Sequence, residues 1–277
     1  MGHHLPARGQ DTSTGLPAVV LLALALLLVA GAYLLLTHLA RRHNPARGWG
    51  RGRTAGFLTG IGLLAIALLP PVAPFAHDDF RGHMAQHMLV GMYAPLALVL
   101  GAPVTLLLRT LPATRGRQLA TVLHSRPAQV LTHPAVALLL STGSLAVLYF
   151  TPLYNGTMHH PAAHWLLDAH FLLSGCLFAY VIAGPDPAPA RPGVRTRLVY
   201  LGVAIAAHAV ISQMVYGGFW TDIHAPIDQV RGSAEIMYYG GDIAELLLAV
   251  ALVATWRPDR HQHPATGRPT ARRAAPV

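Results

Sequence analysis

The sequence predicts an all-α integral membrane protein of about seven transmembrane helices in one bundle, with its N-terminus outside the cytoplasm and its C-terminus inside. Three observations predict it. Hydrophobic residues fill 53% of the 277 positions and charged residues 11%, roughly half the charged share of soluble domains. Apolar runs recur at 17–39, 54–75, 83–108, 133–152, 160–183, 197–217 and 236–256, near the length of about 20 helical residues that crosses a hydrocarbon core of about 30 Å. Finally, seventeen of the twenty basic residues, all Arg, fall in alternate connecting segments at 40–53, 109–132, 185–197 and after 256, and only Arg8, Arg81 and Arg231 lie in the others. Cytoplasmic loops carry the excess of basic residues, so this asymmetry sets the orientation.

The first run is preceded by Arg8 and followed by Arg41 and Arg42. That is the reverse of a cleavable leader, so a retained helix is expected. Pro70, Pro71, Pro95 and Pro103 interrupt the second and third runs and predict kinks there, with the stretch after Gly101 a candidate for lying along the cytoplasmic interface. Residues 1–16 read as an outer tail, 17–256 as the transmembrane domain and 257–277, rich in Pro and Arg, as a disordered cytoplasmic tail. A pI near 10.4 arises from Arg placed between apolar runs, which speaks for the bilayer as partner and against nucleic acid. The lone Cys176 excludes an internal disulfide and any thiolate metal pair, and the absence of Lys excludes a retinal Schiff base.

Ionisable residues inside apolar spans are costly and normally face a polar interior site. Here they fall on the outer halves: His83 and His87 in the third span, His164, Asp168 and His170 in the fifth, His208 in the sixth, Asp242 and Glu245 in the seventh. From outer ends near 79, 160, 217 and 236, the helical rise puts His87 about 12 Å deep, His170 about 15 Å, and His208 and Glu245 each about 14 Å. These four are expected to converge on one site. His83, His164 and Asp242 form a shallower layer at about 6 to 9 Å.

The segment His83-Met84-Ala85-Gln86-His87-Met88 sets two imidazoles and two thioethers on adjoining stripes of one helix. Thioether selects Cu(I) and imidazole serves either copper oxidation state, so the set is copper-compatible. The competing reading makes the His pair a helix cap and Met84 and Met88 core packing. Asp168, one turn after His164, is placed to orient a ligand His or to bond a neighbouring helix. Asp242 and Glu245 read as ligands, proton acceptors or an interhelical clamp, and His208 as a ligand or a hydrogen-bonded core residue.

These residues resemble a known family, the multi-span CtaG proteins that assist assembly of caa-type cytochrome c oxidase. The resemblance is carried by H-M-A-Q-H-M-L-V at 83–90, A-P-L-A-L-V-L-G-A-P-V-T-L-L-L-R at 94–109, P-L-Y at 152–154, H-W-L-L-D-A-H-F-L-L-S-G at 164–175 and G-P-D-P-A-P at 184–189. It closes with His208-Ala209, Asp228-Gln229 with Gly232, and the Gly241-Asp242 to Leu246 stretch. The spacing from His164 to His170 is most similar to the actinobacterial branch, in which such a segment can be fused to a copper-resistance-type membrane domain. The resemblance implies a non-catalytic bacterial plasma-membrane protein that delivers copper to a cytochrome c oxidase subunit in the same membrane. It implies copper-handling roles for His83, His87, His164, His170 and His208, with Met84, Met88 and Asp228. Two departures stand out: where many relatives carry W-H-L-P-P-L-Y this chain reads L-Y-F-T-P-L-Y at 148–154, and Asp168 stands in place of an H-x-x-E-H pattern. Two other functions fit the same polar residues, a haem-binding membrane cytochrome using His87 with His208 or His170 as axial ligands, and a metal or proton transporter.

Overall fold

A computed structural model describes residues 12–256 apart from 44, 47, 71, 159, 160, 189, 190 and 222. The expected tails at 1–11 and 257–277 lie outside the described residues. Every regular element among the described residues is helical: α1 (Thr12–His43), α2 (Arg51–Leu68), α3 (Val72–Asp78), α4 (Phe80–Met88), α5 (Ala94–Leu100), α6 (Pro103–Thr110), α7 (Ala113–Leu123), α8 (Arg126–Leu131), α9 (Pro134–Leu138), α10 (Ser144–Tyr149), α11 (Leu153–Met158), α12 (Pro161–Ala183), α13 (Val194–Gly217) and α14 (Ile227–Thr255). π-helical turns at Leu89–Tyr93 and Leu139–Gly143 join α4 to α5 and α9 to α10.

Five helical stretches are long and apolar enough to cross a membrane, at Leu16–His43, Phe80–Thr110, Ala162–Ala183, Val194–Gly217 and Ile227–Thr255. The other two expected spans map to shorter pieces. Residues 54–75 divide between α2 and α3 around Pro70, and 133–152 is the shorter apolar stretch Pro134–Tyr149.

The prolines act where expected, each by a different local solution. Pro95 has no N–H to give the carbonyl four residues back, and the π turn at Leu89–Tyr93 immediately before it absorbs the misfit without ending the helix. Pro103 follows a true break: Ala102 takes a left-handed conformation at φ 53° and α6 restarts with Pro103 in its first turn. Buried Asp186 satisfies that new helix start, accepting from Val104 N at 3.1 Å, Thr105 N at 2.7 Å and Thr105 Oγ1 at 2.5 Å. Arg191 ties down the segment carrying Asp186, donating to the carbonyls of Gly184, Tyr180 and Asp186 at 2.6 to 3.0 Å.

The polarity of the packing is that of a protein dissolved in lipid. Leu28, Leu166 and Leu173 are 70 to 74% exposed, whereas His83, Gln86, His87, His164, His208, Ser212, Ser233 and Glu245 are buried. Water as the surrounding solvent would favour the reverse. α14 packs against both α13 and α4, while α12 packs against α5 and the π turn before it. This brings the third, fifth, sixth and seventh apolar runs around one interior. α1 packs mainly on α2 and α6, through Tyr33 and Ala40 in its second half, with Leu26 against the cluster of Leu64, Val90 and Ala94.

Glycine lets two of these helices approach closely. A Cβ on Gly175 of α12 would collide with the carbonyl oxygen of Gly91 in the π turn. That is the carbonyl that Pro95, four residues on, cannot bond, so one proline accounts for both the π turn and the closeness of the crossing.

Candidate functional site

The buried polar residues form two groups, one above the other along α4. In the outer group, His83 lies near-parallel to Phe80 at 5.9 Å between ring centroids and 5.1 Å from Tyr154. It also lies beside His164 of α12, with ring centroids 6.0 Å apart and planes tilted by 48°. Asp168, one turn along α12, approaches His164 with Oδ2 3.7 Å from Nε2, the carboxylate beside imidazole arrangement that orients histidine ligands. The start of α4 is fixed by Asp79, whose side chain accepts from Arg81 N at 2.8 Å, and by Gln229 of α14, which accepts from Phe80 N at 3.2 Å. Hydrogen bonding from the Arg81 guanidinium holds the half-buried Asp79 carboxyl below its ordinary pKa.

The inner group comprises His87, His208 and Glu245. His208 Nδ1 lies 3.5 Å from Glu245 Oε1, linking α13 to α14, and the His87 ring sits edge-on to Phe171 at 4.2 Å. All three border a cavity of about 60 Å³ shared with Ser141, Thr142 and Ser174, enough for a few waters. His208 Nε2 and Glu245 Oε2 are buried with no hydrogen-bond partner among the described residues, so the cavity is polar where these atoms border it. Gly241, one turn before Glu245, admits the His208 ring: a Cβ there would overlap it.

The expected four-way convergence is therefore three-way. His170 is half-buried and donates from Nε2 to the Leu140 carbonyl at 3.1 Å, bordering a separate apolar groove with Leu139, Gly143, Val147 and Leu166. The π turn at Leu139–Gly143 presents that carbonyl, to which Ser144 Oγ also donates at 2.7 Å. Depth along a helix says nothing of rotation, and at about 100° per residue His170 stands about 120° around α12 from His164. Asp242 is half-buried and absent from the cavity lining, one position away from the stripe of Gly241, Glu245 and Leu248. Met84 and Met88 pack in an apolar cluster with Tyr149, Phe171 and Met237, where Tyr149 donates its hydroxyl to Met84 Sδ at 3.8 Å. Asp228 is exposed at the start of α14.

Among the described residues no three His, Cys, Asp or Glu side chains stand close enough together to hold a metal ion. The strongest sets are pairs. The 6.0 Å between the His83 and His164 rings is within reach of one ion bound by a nitrogen from each, given metal–nitrogen lengths of about 2.0 to 2.1 Å. Sequence reasoning passed over Gly91, Gly175, Gly241, Phe171 and Tyr154, which shape these pairs. For Gly91, Phe171, Gly175 and Gly241 the helical spacing from the polar residues, 83, 87, 91 on one stretch, 164, 168, 171, 175 on another and 241, 245 on a third, marked a shared inward face but not how closely the helices approach; Tyr154 lies on α11, outside these stripes.

Fold and site together define a class: a multi-pass membrane protein whose bundle holds imidazole groups beside carboxylates in its interior. The family model for the cytochrome c oxidase caa3 assembly factor matches residues 31–259, and the chain belongs to that family. Similar proteins, each uncharacterized, occur in Mycobacterium bovis and Mycobacterium tuberculosis, both 35% identical over 243 residues, covering 80% of this chain and 36% of the relative. A third, from Mycobacterium leprae, is 31% identical over 234 residues, covering 77% of this chain and 35% of its own length. This chain thus spans about a third of the length of these curated relatives. No solved structure gave a significant match.

Proposed function

We propose that this protein holds copper as cargo between His83 and His164, with Asp168 orienting His164, and passes it to a cytochrome c oxidase subunit in the same membrane. The observation that carries the reading is the His83–His164 pair itself, two buried imidazoles from separate helices facing one another. A two-histidine site suits a carrier, since Cu(I) tolerates low coordination and a partner offering more ligands draws the ion away. His87, with His208 and Glu245 behind it, is a second station one turn deeper. Met84 and Met88 serve the proposed site as packing that fixes α4, and His170 as a hydrogen-bonded brace. In this reading the chain crosses the bilayer seven times, the two shorter stretches completing the set, with the His pair opening outward.

The haem alternative meets a size limit. The cavity beside His87 and His208 is about 60 Å³, far below the roughly 300 Å³ at which pockets for organic ligands begin. A transport path meets an apolar barrier, because Leu96, Phe178, Ile182, Leu248 and Leu252 pack between the inner group and the Arg-rich end.

Metal analysis of detergent-purified protein after Cu(I) loading tests the site: wild type should retain copper and His83→Ala with His164→Ala should lose most of it. Equal copper in both proteins removes the proposed site. Orientation has its own test, in which a reporter active only in the cytoplasm works when fused after residue 260 and fails at the N-terminus. The opposite pattern would turn the His pair to the wrong side of the membrane.

A further inference from the structure

At the Arg-rich end of the bundle, a cleft of about 990 Å³ opens between α2, α6 and the segment after α12, bordered by Arg53, Arg109 and Arg191. Trp49, itself buried, organises two of these charges. The Arg53 guanidinium lies 4.9 Å and that of Arg109 5.4 Å from the indole centroid. The indole is held in turn, donating from Nε1 to the Tyr33 hydroxyl at 3.3 Å, while that hydroxyl bonds the Gly101 carbonyl at 2.7 Å. Arg109 also donates to the Gly48 carbonyl at 3.3 Å.

Stacking on an aromatic face positions a guanidinium without neutralising it. Among the described residues the ion pairs are Arg81 with Asp79, His164 with Asp168 and His208 with Glu245; neither Arg53 nor Arg109 is paired with a carboxylate. Asp186 borders the cleft, but its two oxygens accept from Val104 N and from Thr105 at the start of α6. Two like charges are thus held at one ring beside a cleft whose carboxylate among the described residues, Asp186, is bonded to the start of α6 and to neither of them. The remainder of the lining includes Leu100, Ala188 and Ala254, an apolar wall beside the cations.

We propose that this cleft binds the phosphate of an anionic phospholipid, with Arg53 and Arg109 as its ligands and the wall at Leu100 and Ala254 receiving the first part of an acyl chain. The fork of donors on each guanidinium matches phosphate oxygens, and basic pockets between helices at a membrane surface are suited to such headgroups. A soluble anion has no use for the apolar wall. The assignment is independent of copper handling at the opposite end of the bundle.

Native mass spectrometry of the detergent-purified full chain, titrated with phosphatidylglycerol and separately with phosphatidylcholine, tests it. Phosphatidylglycerol binds preferentially, and Arg53→Gln with Arg109→Gln weakens it by on the order of tenfold while phosphatidylcholine is unchanged. Ala188→Glu, which adds a negative charge at the cleft without touching either Arg, gives the same loss and serves if the double Gln variant does not fold. Arg115→Gln with Arg117→Gln, on α7 outside the cleft lining, changes binding by less than about twofold. Unchanged phosphatidylglycerol affinity in the cleft variants overturns the proposal, as does an equal loss in the α7 variant, which would indicate diffuse charge. Displacement of the lipid by equimolar inorganic phosphate would mark a soluble-anion site and overturn the lipid assignment.

Discussion

Replacing Gly175 by Ala destabilises the bundle by about 1 to 3 kcal/mol or more, measured as a shifted unfolding curve in mixed detergent. The added methyl meets the Gly91 carbonyl oxygen, and the neighbouring Pro95 Cγ is 3.0 Å from the same point. A flexible side chain yields to such an intrusion by changing rotamer, but here the obstacle is backbone on a rigid helix, so α12 must move away from α5. That movement widens the cavity bordered by both glycines, Phe171 and His87. Gly202→Ala on α13 is the control, because a Cβ there has nothing within 4 Å and leaves the unfolding curve nearly unchanged. Equal effects of the two substitutions would show that the close crossing of α12 and the π turn is not what holds this part of the bundle.

His208→Leu costs about 3 to 5 kcal/mol, the usual consequence of removing one member of a buried polar pair and leaving the other without its partner. Glu245 Oε1 loses its neighbour at 3.5 Å, and Oε2 already has no protein partner among the described residues. Glu245→Met is also destabilising. The double substitution recovers much of the loss, since apolar side chains of similar volume in place of both groups remove the desolvation cost together. A double-mutant cycle reads this directly, with an expected coupling of about 0.5 to 3 kcal/mol. Strict additivity would show that the two groups do not act as a pair.

How much of this was legible beforehand differs by level. The apolar runs located the helical segments, and the prolines marked where they divide, because run length and a missing N–H are properties of the chain itself. The polar residues of the site were found by the same logic, since an ionisable group in an apolar run is unexpected wherever it points. Their grouping was read only in part. Depth follows from residue number, so His87, His208 and Glu245 were placed on one level and do share a cavity. Rotation depends on which face each helix turns inward, and His170 was misjudged for that reason, its ring satisfied by a carbonyl that a π turn makes available. The close approaches at Gly175 and Gly241 belong to pairs of helices and had no signature in either helix alone.

The apolar cluster beneath the inner cavity has an electrical consequence. From Leu248 to Thr255 the rise of α14 amounts to about 10 Å, and over that distance Leu96, Val99, Phe178, Ile182 and Leu252 fill the bundle. Histidine and glutamate facing a small cavity are the parts from which a proton wire is made, and a wire reaching both surfaces would let protons leak across the bilayer. The cluster acts as insulation, so polar chemistry can occupy one half of the interior while the other half keeps the bilayer sealed.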